Sequence, residues 1–457
     1  MSKSHLYIDL YENLKNQIIE GQYKSGDKFP SKRVLGQHLS VSNTTIEHAY
    51  QFLLDEGYIY SKPRSGYFVS DIETLPIINR KTQFNTDTYL SSQHKHSGDY
   101  YEFAFNLSEI DTDYFPIQQF RKYARDAFEI NQLQLLQHAN PKGEWSLRQE
   151  IAHYLFNSRG VSCHPEQIII GSSTEQLINL LTDILNKAQF LIENPSYPPI
   201  KQVLEKRQIP YMQVPVNQTG LEIDYLKTAI HNIAYVTPSH QFPTGYVMNL
   251  KKRTQLITWA HERDDRYIIE DDYDSEFRYF GKPIPTLQSL DTKDKVIYIS
   301  TFSKSLFPSC RIAYLVLPKK LLNRYENLEH KEGNTVPAHL QKIVASFMES
   351  GSFERHLNKM RKLYSRKLKF IIEALKPYED QLEIEGALAG MHFNLTVKNG
   401  LSIKECLKNA EKNRLKITPF NQYDATQHTV KFILGFGGIP FSDLEAHTNA
   451  LIDSLCI

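Results

Sequence analysis

One lysine between two apolar segments places the strongest constraint on how this chain folds. Residues 296–301 and 312–317 are apolar and rich in β-branched side chains, so both predict buried strands, and the polar loop between them holds Lys304. Burial disfavours an ammonium, so a lysine held against a core tends to lose its proton and can then form a Schiff base with an aldehyde. Arg311, in the same loop, could bind a phosphate. Considered alone, Lys304 fits an exposed polar turn equally well.

A second polar group follows a short apolar segment within residues 266–277. Asp271 and Tyr273 are two residues apart and therefore face the same side of an extended chain. Pyridoxal phosphate needs a carboxylate beside its ring nitrogen and gains from a phenol beside its ring oxygen, and this pair offers both. The alternatives are a solvated acidic loop or a metal site, and no histidine lies close by in sequence to support a metal.

The segment around residue 172 predicts an anion site. Apolar residues 168–170 lead through a small-residue turn, which contains Ser172, Ser173 and Thr174, into a helical pattern. The N-terminus of a helix offers free N–H groups and the positive end of the helix dipole, both of which suit a phosphate.

Five motifs in this order, from residue 168 to Lys304, resemble those of the fold-type I aminotransferases, and the resemblance covers residues 100 to 457. It implies an α/β fold with pyridoxal 5'-phosphate bound covalently to Lys304. It also implies that Tyr197 stacks on the cofactor ring. The cofactor contacts implied by the resemblance are Asp271, Tyr273, Arg311, Ser172, Ser173, Thr174, Tyr197 and Ser303.

Three positions depart from the aminotransferase pattern. Phe242 stands where the family places an Asn against the ring oxygen, and His138 stands where a Tyr reaches the phosphate of the neighbouring subunit. Ile433 occupies the position of the Arg that binds the substrate carboxylate, and Ile cannot bind a carboxylate. Lys431 would share a strand face with Ile433, but only as a point charge. Ordinary transamination of amino acids is therefore not expected.

The N-terminal segment predicts three helices followed by a two-stranded hairpin. Residues 9–19 form an amphipathic pattern, Ser31 caps a second helix that ends near Leu39, and Ser42 caps a third. Residues 58–69 read as a hairpin with a glycine-containing tip.

In the second of these helices, Val34 and Leu35 are expected to point inward. The apolar face of the third helix is expected to contain Ile46, Ala49, Tyr50, Leu53 and Leu54. A helix-turn-helix with such a wing reads DNA by placing its third helix in the major groove.

Residues 5 to 70 resemble the winged helix-turn-helix of the GntR family. Asn43 stands where that family often has Arg, and Asn favours adenine where Arg favours guanine. The alternative is a small helical domain that docks protein. The resemblance implies DNA contacts from Ser31, Arg33, Ser42, Asn43, Thr44, Thr45, Arg64 and Gly66.

The two halves together resemble the MocR subfamily of GntR regulators. We expect a DNA-binding domain at residues 1–71, a polar linker at 72–100 and an aminotransferase-like domain at 101–457. The resemblance implies a homodimer on operator DNA with two half-sites. The effector is expected to be pyridoxal phosphate itself or an amino acid.

Composition agrees with a cytoplasmic protein that contacts DNA only locally. The 457 residues carry a formal net charge of +1, which argues against a protein that coats polyanions. The four cysteines are scattered without pair spacing, as expected of reduced thiols. No signal peptide or membrane-length apolar segment is evident, so we expect no membrane partner.

Three functions compete at this level. The first is a cofactor-responsive regulator with a sensor domain that is not an enzyme. The second is a true aminotransferase with an accessory DNA-binding domain, and the third is a docking protein on a decayed cofactor fold. Ile433 and Phe242 argue against the second, whereas Lys304, Asp271 and Tyr273 argue against the third.

Overall fold

The computed structural model describes residues 6–39, 41–71, 101–130, 137–279, 284–329, 331, 333–424 and 428–456. Contacts divide the chain into two compact units, Met1–His94 and Lys95–Ile457. The predicted linker at 72–100 lies outside the described residues.

The N-terminal unit contains the three expected helices and the expected hairpin. The Ser42 hydroxyl accepts from the amide of Thr45 and caps the third helix, and the Ser31 hydroxyl accepts from the amide of Val34. Leu35 is buried as expected, but the inward orientation expected for Val34 is wrong: its side chain is 59% exposed, because the buried residues of this short helix are Leu35 and Gly36. The elements are Leu6–Ile19, Lys32–Leu39, Asn43–Asp55, and the antiparallel strands Ile59–Lys62 and Gly66–Val69.

The third helix contributes more residues to the core of this unit than any other element. Ile46, Ala49, Tyr50 and Leu53 are fully buried, at the helical spacing that the sequence predicts. At Gly36 a Cβ atom would lie 3.1 Å from the Ile46 side chain, so the glycine lets the second and third helices approach closely.

An eight-stranded sheet forms the centre of the C-terminal unit. Apart from Tyr211–Asn217, which has exposed residues, its strands are buried on both faces, as expected of a mostly parallel sheet with helices on either side. Ala313–Val316 and Gly220–Leu221 run antiparallel to their neighbours. The strand order is Ile168–Gly171, Ala313–Val316, Val296–Thr301, Tyr267–Asp271, Ile233–Val236, Phe190–Asn194, Tyr211–Asn217 and Gly220–Leu221.

Helices cover this sheet and continue into the C-terminal part of the unit. The longest spans Ser352–Leu375 and buries an apolar stripe. The α-helices of this unit are Ile117–Ile130, Trp145–Arg159, Thr174–Ile184, Pro198–Lys206, Asp224–Thr228, Leu250–His261, Leu287–Leu290, Lys319–Glu326, Ala338–Glu349, Ser352–Leu375, Ile403–Lys412 and Leu444–Leu455.

A smaller antiparallel sheet has one face in the main core and one face toward other elements. Phe393 and Leu434 belong to the core, so the alternate residues His392, Asn394 and Ile433 face the other side. The strands in order are Leu382–Glu385, His392–Val397, Lys431–Gly435 and Thr418–Pro419. A short parallel pair, Phe103–Ala104 with Leu415–Lys416, completes the strands of the described residues.

The parallel strands place several predicted site residues at one edge of the large sheet. Asp271 ends its strand, and the Lys304 loop joins two neighbouring strands, as the sequence predicts. Ligands of open α/β sheets bind at the carboxyl ends of the strands. A ligand cavity is therefore expected at this edge of the sheet.

Candidate functional site

A cavity of about 470 Å³ lies at this edge and collects most of the predicted cofactor contacts. Its size and mixed polar and apolar lining suit a small organic ligand. The lining residues are Leu107, Ser108, Ser173, Thr174, Glu175, Tyr197, Pro198, Pro199, Thr237, Phe242, Asp271, Tyr273, Asp274, Thr301, Ser303, Lys304, Pro308, Arg311, Met391, His392 and Tyr423.

Lys304 enters this cavity from the loop after the strand Val296–Thr301. Burial lowers the pKa of Lys304 to about 8, while the charges of Asp274 and Glu109 act to raise it. The Nζ atom donates to the backbone carbonyl of Leu107. A lysine with this pKa is partly neutral at pH 7–8, and its neutral form can act as a nucleophile toward an aldehyde.

Asp271 offers a free buried oxygen to the cavity. Its Oδ2 atom accepts from the Tyr235 hydroxyl, whereas Oδ1 is buried and has no hydrogen-bond partner among the described residues. Burial raises the pKa of Asp271 to about 7. A buried carboxylate oxygen without a partner is costly, and a protonated ring nitrogen would supply the missing donor.

A further group of cavity residues suits a phosphate. Ser173 caps the helix Thr174–Ile184, whose first turn faces the cavity, and Arg311 and Ser303 line it. The Ser303 amide donates to the Thr301 hydroxyl, which fixes the loop.

Ser172 differs from these residues. Its amide and hydroxyl both donate to the side-chain oxygen of Gln176, and it does not line the cavity. Its predicted contact with the cofactor stays a prediction.

Phe242 lies among four other rings at the cavity. Its ring meets those of Tyr197, Tyr273, His392 and Tyr423 at centroid distances of 5.8, 6.5, 5.8 and 5.2 Å, each close to edge-on. Such arrangements are favourable for aromatic pairs. The position predicted to correspond to the aminotransferase Asn is thus part of an aromatic cluster.

The predicted replacements for a carboxylate-binding Arg do not reach the cavity. Ile433 is fully buried and Lys431 pairs with Glu385, and neither lines the cavity. His138 is exposed in an irregular segment. Burial, with the nearby charges of His240 and Lys304, holds the pKa of His392 well below its usual range, so this lining histidine is neutral at pH 7.

One polar group here was missed by sequence reasoning. His240 Nδ1 lies 2.9 Å from Asp274 Oδ2 and 3.2 Å from the Tyr273 hydroxyl, and the His392 ring lies 4.5 Å from that of His240. His240, Asp274 and His392 are close enough together to hold a metal ion. The sequence predicts no histidine beside the acidic segment because it considers only neighbours along the chain. The fold brings His240, Asp274 and His392 together from three separate segments.

The candidate DNA contacts lie on the N-terminal unit. Arg33, Asn43, Thr44 and Arg64 are all exposed, and Arg64 has a positive φ of 60° at the tip of the hairpin. Ser31, Ser42 and Gly66 are also exposed, and Thr45 is half-buried. The structure thus leaves the start of the third helix and the wing tip open to a partner.

Comparison with known proteins identifies both units. Residues 6–69 match the family described as "Bacterial regulatory proteins, gntR family", and residues 104–409 match "Aminotransferase class I and II". Among solved structures, the kynurenine aminotransferase of Pyrococcus horikoshii is similar, with a TM-score of 0.68 at 23% identity over 79% of this chain and 92% of that one. This likeness shows the fold of the C-terminal unit.

Relatives with both units cover most of the chain. The transcriptional regulator YdeL of Bacillus subtilis is 37% identical over 96% of this chain and 94% of its own length. The regulator PdxR of Corynebacterium glutamicum is 30% identical over 80% and 78%, and the rhizopine catabolism regulatory protein MocR of Rhizobium meliloti is 28% identical over 98% and 93%.

A GntR-type DNA-binding unit joined to an aminotransferase-type cofactor unit defines a class of transcription regulators. This chain belongs to the MocR subfamily of that class. Its aminotransferase unit binds pyridoxal phosphate, and the cavity fits this group: the unpartnered Asp271 oxygen suits the ring nitrogen, and Lys304 suits the aldehyde. Among the described residues, no helix has the length and apolar character to cross a membrane.

Proposed function

We propose that this protein binds operator DNA as a homodimer in the cytoplasm and that pyridoxal phosphate in its cavity is the signal that changes DNA binding. When bound, pyridoxal phosphate supplies an aldehyde and an electron-withdrawing ring. Lys304 would hold the aldehyde carbon, and Asp271 the ring nitrogen. Arg311, Ser303 and the helix start at Thr174 would hold the phosphate.

The distribution of charge in the cavity carries this proposal. Among the described lining residues, Lys304 and Arg311 are the cations, and the cofactor itself would occupy both. His392 is neutral at pH 7, and Lys431 is paired with Glu385. Among the described lining residues, no cation is then left for the carboxylate of an amino acid, whereas pyridoxal phosphate needs no second ligand.

The name of one relative also supports pyridoxal phosphate as the signal. PdxR is named as a regulator of pyridoxine biosynthesis, and it shares 30% of its residues with this chain over the matched region. We therefore infer that this protein adjusts vitamin B6 synthesis to the supply of pyridoxal phosphate. A sensor needs differential binding of its ligand to two states, and transamination is not required.

A titration of DNA binding tests the proposal. Apo protein is titrated with pyridoxal phosphate alone and then with the twenty amino acids, while operator affinity and footprint are followed. Pyridoxal phosphate alone is expected to change one or both, with no further change on adding amino acids. If pyridoxal phosphate has no effect until an amino acid is present, the protein is an amino-acid sensor, and turnover of keto acids would make it an aminotransferase.

A further inference from the structure

At the proposed site, the ring-oxygen contact of the cofactor would depend on Tyr273. By the resemblance, Phe242 stands where aminotransferases have an Asn, which would leave this contact to the phenol of Tyr273. The phenol can serve only if its hydrogen points into the cavity. The groups behind Tyr273 therefore decide how well it donates.

His240 and Asp274 are those groups. Both are buried, and His240 Nδ1 lies 2.9 Å from Asp274 Oδ2 and 3.2 Å from the Tyr273 hydroxyl. An ionised carboxylate only accepts hydrogen bonds, so Nδ1 of His240 carries the hydrogen. That nitrogen then cannot accept from Tyr273, and the phenol hydrogen is free to point away from it and into the cavity.

The backbone next to this pair is shaped to fit it. Gly390 has a φ of +73°, and a Cβ atom there would lie 2.1 Å from the His240 ring and 2.4 Å from Asp274 Oδ2. Such distances are impossible without a shift of the chain, so only glycine leaves room for the histidine and the carboxylate together.

We propose that His240 and Asp274 form a buried positioning pair that directs the Tyr273 hydroxyl hydrogen toward the ring oxygen of the bound cofactor. The inference rests on the proposed function, because it requires pyridoxal phosphate at Lys304. Asp274 also lines the cavity, and its negative charge favours the protonated form of Lys304. The titratable groups that line the cavity with Lys304 or act on it are Asp271, Asp274, Glu175, Tyr197, Tyr273, Arg311, His392, Tyr423 and Glu109.

A spectroscopic pH titration of the cofactor-loaded protein tests the pair. The midpoint is the pH at which the visible absorbance of the cofactor on Lys304 changes. In His240→Leu it should rise by about 0.5–1 pH unit. The Tyr273 hydroxyl then no longer accepts from Nδ1 and becomes a weaker and less directed donor, so the ring oxygen holds the neighbouring proton more tightly. In Asp274→Asn it should fall, because a negative charge that favours the protonated nitrogen is removed. His240→Asn keeps a donor at the Nδ1 position and should stay near the wild type.

A matched control distinguishes an effect on the position of Tyr273 from a nonspecific effect of losing a His–Asp pair. His261 Nε2 lies 2.7 Å from Asp291 Oδ1, so it forms the same kind of pair outside the cavity. His261→Leu should leave the midpoint unchanged. If His240 had only a structural role, His240→Leu and Asp274→Asn would lower the cofactor content of the protein. They would not move the midpoint in opposite directions.

Several outcomes would contradict the proposed role of His240 and Asp274. One is a wild-type midpoint in His240→Leu while borohydride still traps the cofactor on Lys304. Another is a shift in the same direction for His240→Leu and Asp274→Asn. If His240→Leu binds no cofactor, the other two variants decide. Equal midpoints in Asp274→Asn and His240→Asn would then also contradict the proposal. Stoichiometric zinc in the purified protein would assign His240, Asp274 and His392 to a metal instead. Failure of the wild type to trap the cofactor would reject the proposed function itself.

Discussion

Arg33 and Arg64 of the N-terminal unit are exposed, whereas Lys304 and Asp271 of the C-terminal unit lie in a cavity where burial shifts both pKa values toward neutrality. The first pair can act on DNA phosphates through charge in water, which salt screens. The second pair depends on exclusion of water, which makes a lysine nucleophilic and leaves a carboxylate in need of a donor. Single substitutions should therefore change one property of the protein at a time.

The largest expected effect is the loss of the cofactor response in Lys304→Ala. The variant should bind operator DNA like the apo wild type, yet show no change on adding pyridoxal phosphate, because the covalent attachment is gone. Lys304→Arg, which keeps the charge but cannot form the attachment, should behave in the same way. A full cofactor response in either variant, measured by operator affinity and footprint, would separate the signal from Lys304.

The converse variants, Arg33→Ala and Arg64→Ala, should weaken operator binding while leaving cofactor binding intact. Each phosphate contact that is lost should reduce the slope of log affinity against log salt by about one. Lys15→Ala is the matched control, since the Lys15 ammonium is paired with Glu56 at 2.7 Å in the same unit. Equal salt slopes in all three variants and the wild type would show that this surface does not contact DNA phosphates.

Asn43→Ala should change base preference more than overall affinity. Asn43 is exposed at the first position of the third helix, where an amide can pair with adenine. Discrimination at one base pair should fall by about 1–3 kcal/mol, measured on operators substituted at each position. An unchanged preference at every position would remove Asn43 from the reading surface.

The smallest expected effect is a pH-dependent change in the stability of the apo protein in Asp271→Asn. The folded-state pKa of about 7 lies above the unfolded value of 3.8. The contribution of Asp271 is therefore favourable below about pH 4 and is lost as pH rises through 7. The variant should gain roughly 1–3 °C in Tm at pH 8 and nothing at pH 4.

The neighbouring carboxyl provides the control for that measurement. Asp272 is also buried, but Arg159 at 2.8 Å and Tyr298 hold its pKa below the usual value. Asp272→Asn should therefore lose Tm at pH 8, where Asp271→Asn gains. A loss in both variants would mean that Asp271 is not an unsatisfied carboxylate in the apo protein.

The sequence was sufficient where local pattern and chain order decide the structure. The two apolar segments around Lys304 are neighbouring strands, Ser42 caps the third helix, and the tip at Arg64 closes a hairpin. In each case the signal spans few residues, because strand periodicity, capping and turn chemistry act locally. The positions of Asp271 and Lys304 at one sheet edge also follow from the resemblance to a known fold.

Contacts between distant segments could not be predicted in this way. Val34 has the right residue type for a core position, but packing turns it to the surface. His240 and His392 gave no spacing signal, because they lie 152 positions apart in the sequence, although the fold brings their rings to 4.5 Å. The engagement of Lys431 by Glu385 likewise depends on strand pairing, which sequence periodicity does not specify.

Borohydride reduction of the cofactor-loaded protein, followed by peptide mapping, tests the central claim most directly. The account predicts a pyridoxyl adduct on Lys304 and none on Lys295 or Lys367, two other lysines whose pKa burial lowers. These two are held by backbone carbonyls or by Asp111, outside the cavity. An adduct on another lysine, or no adduct after incubation with excess pyridoxal phosphate, would contradict it.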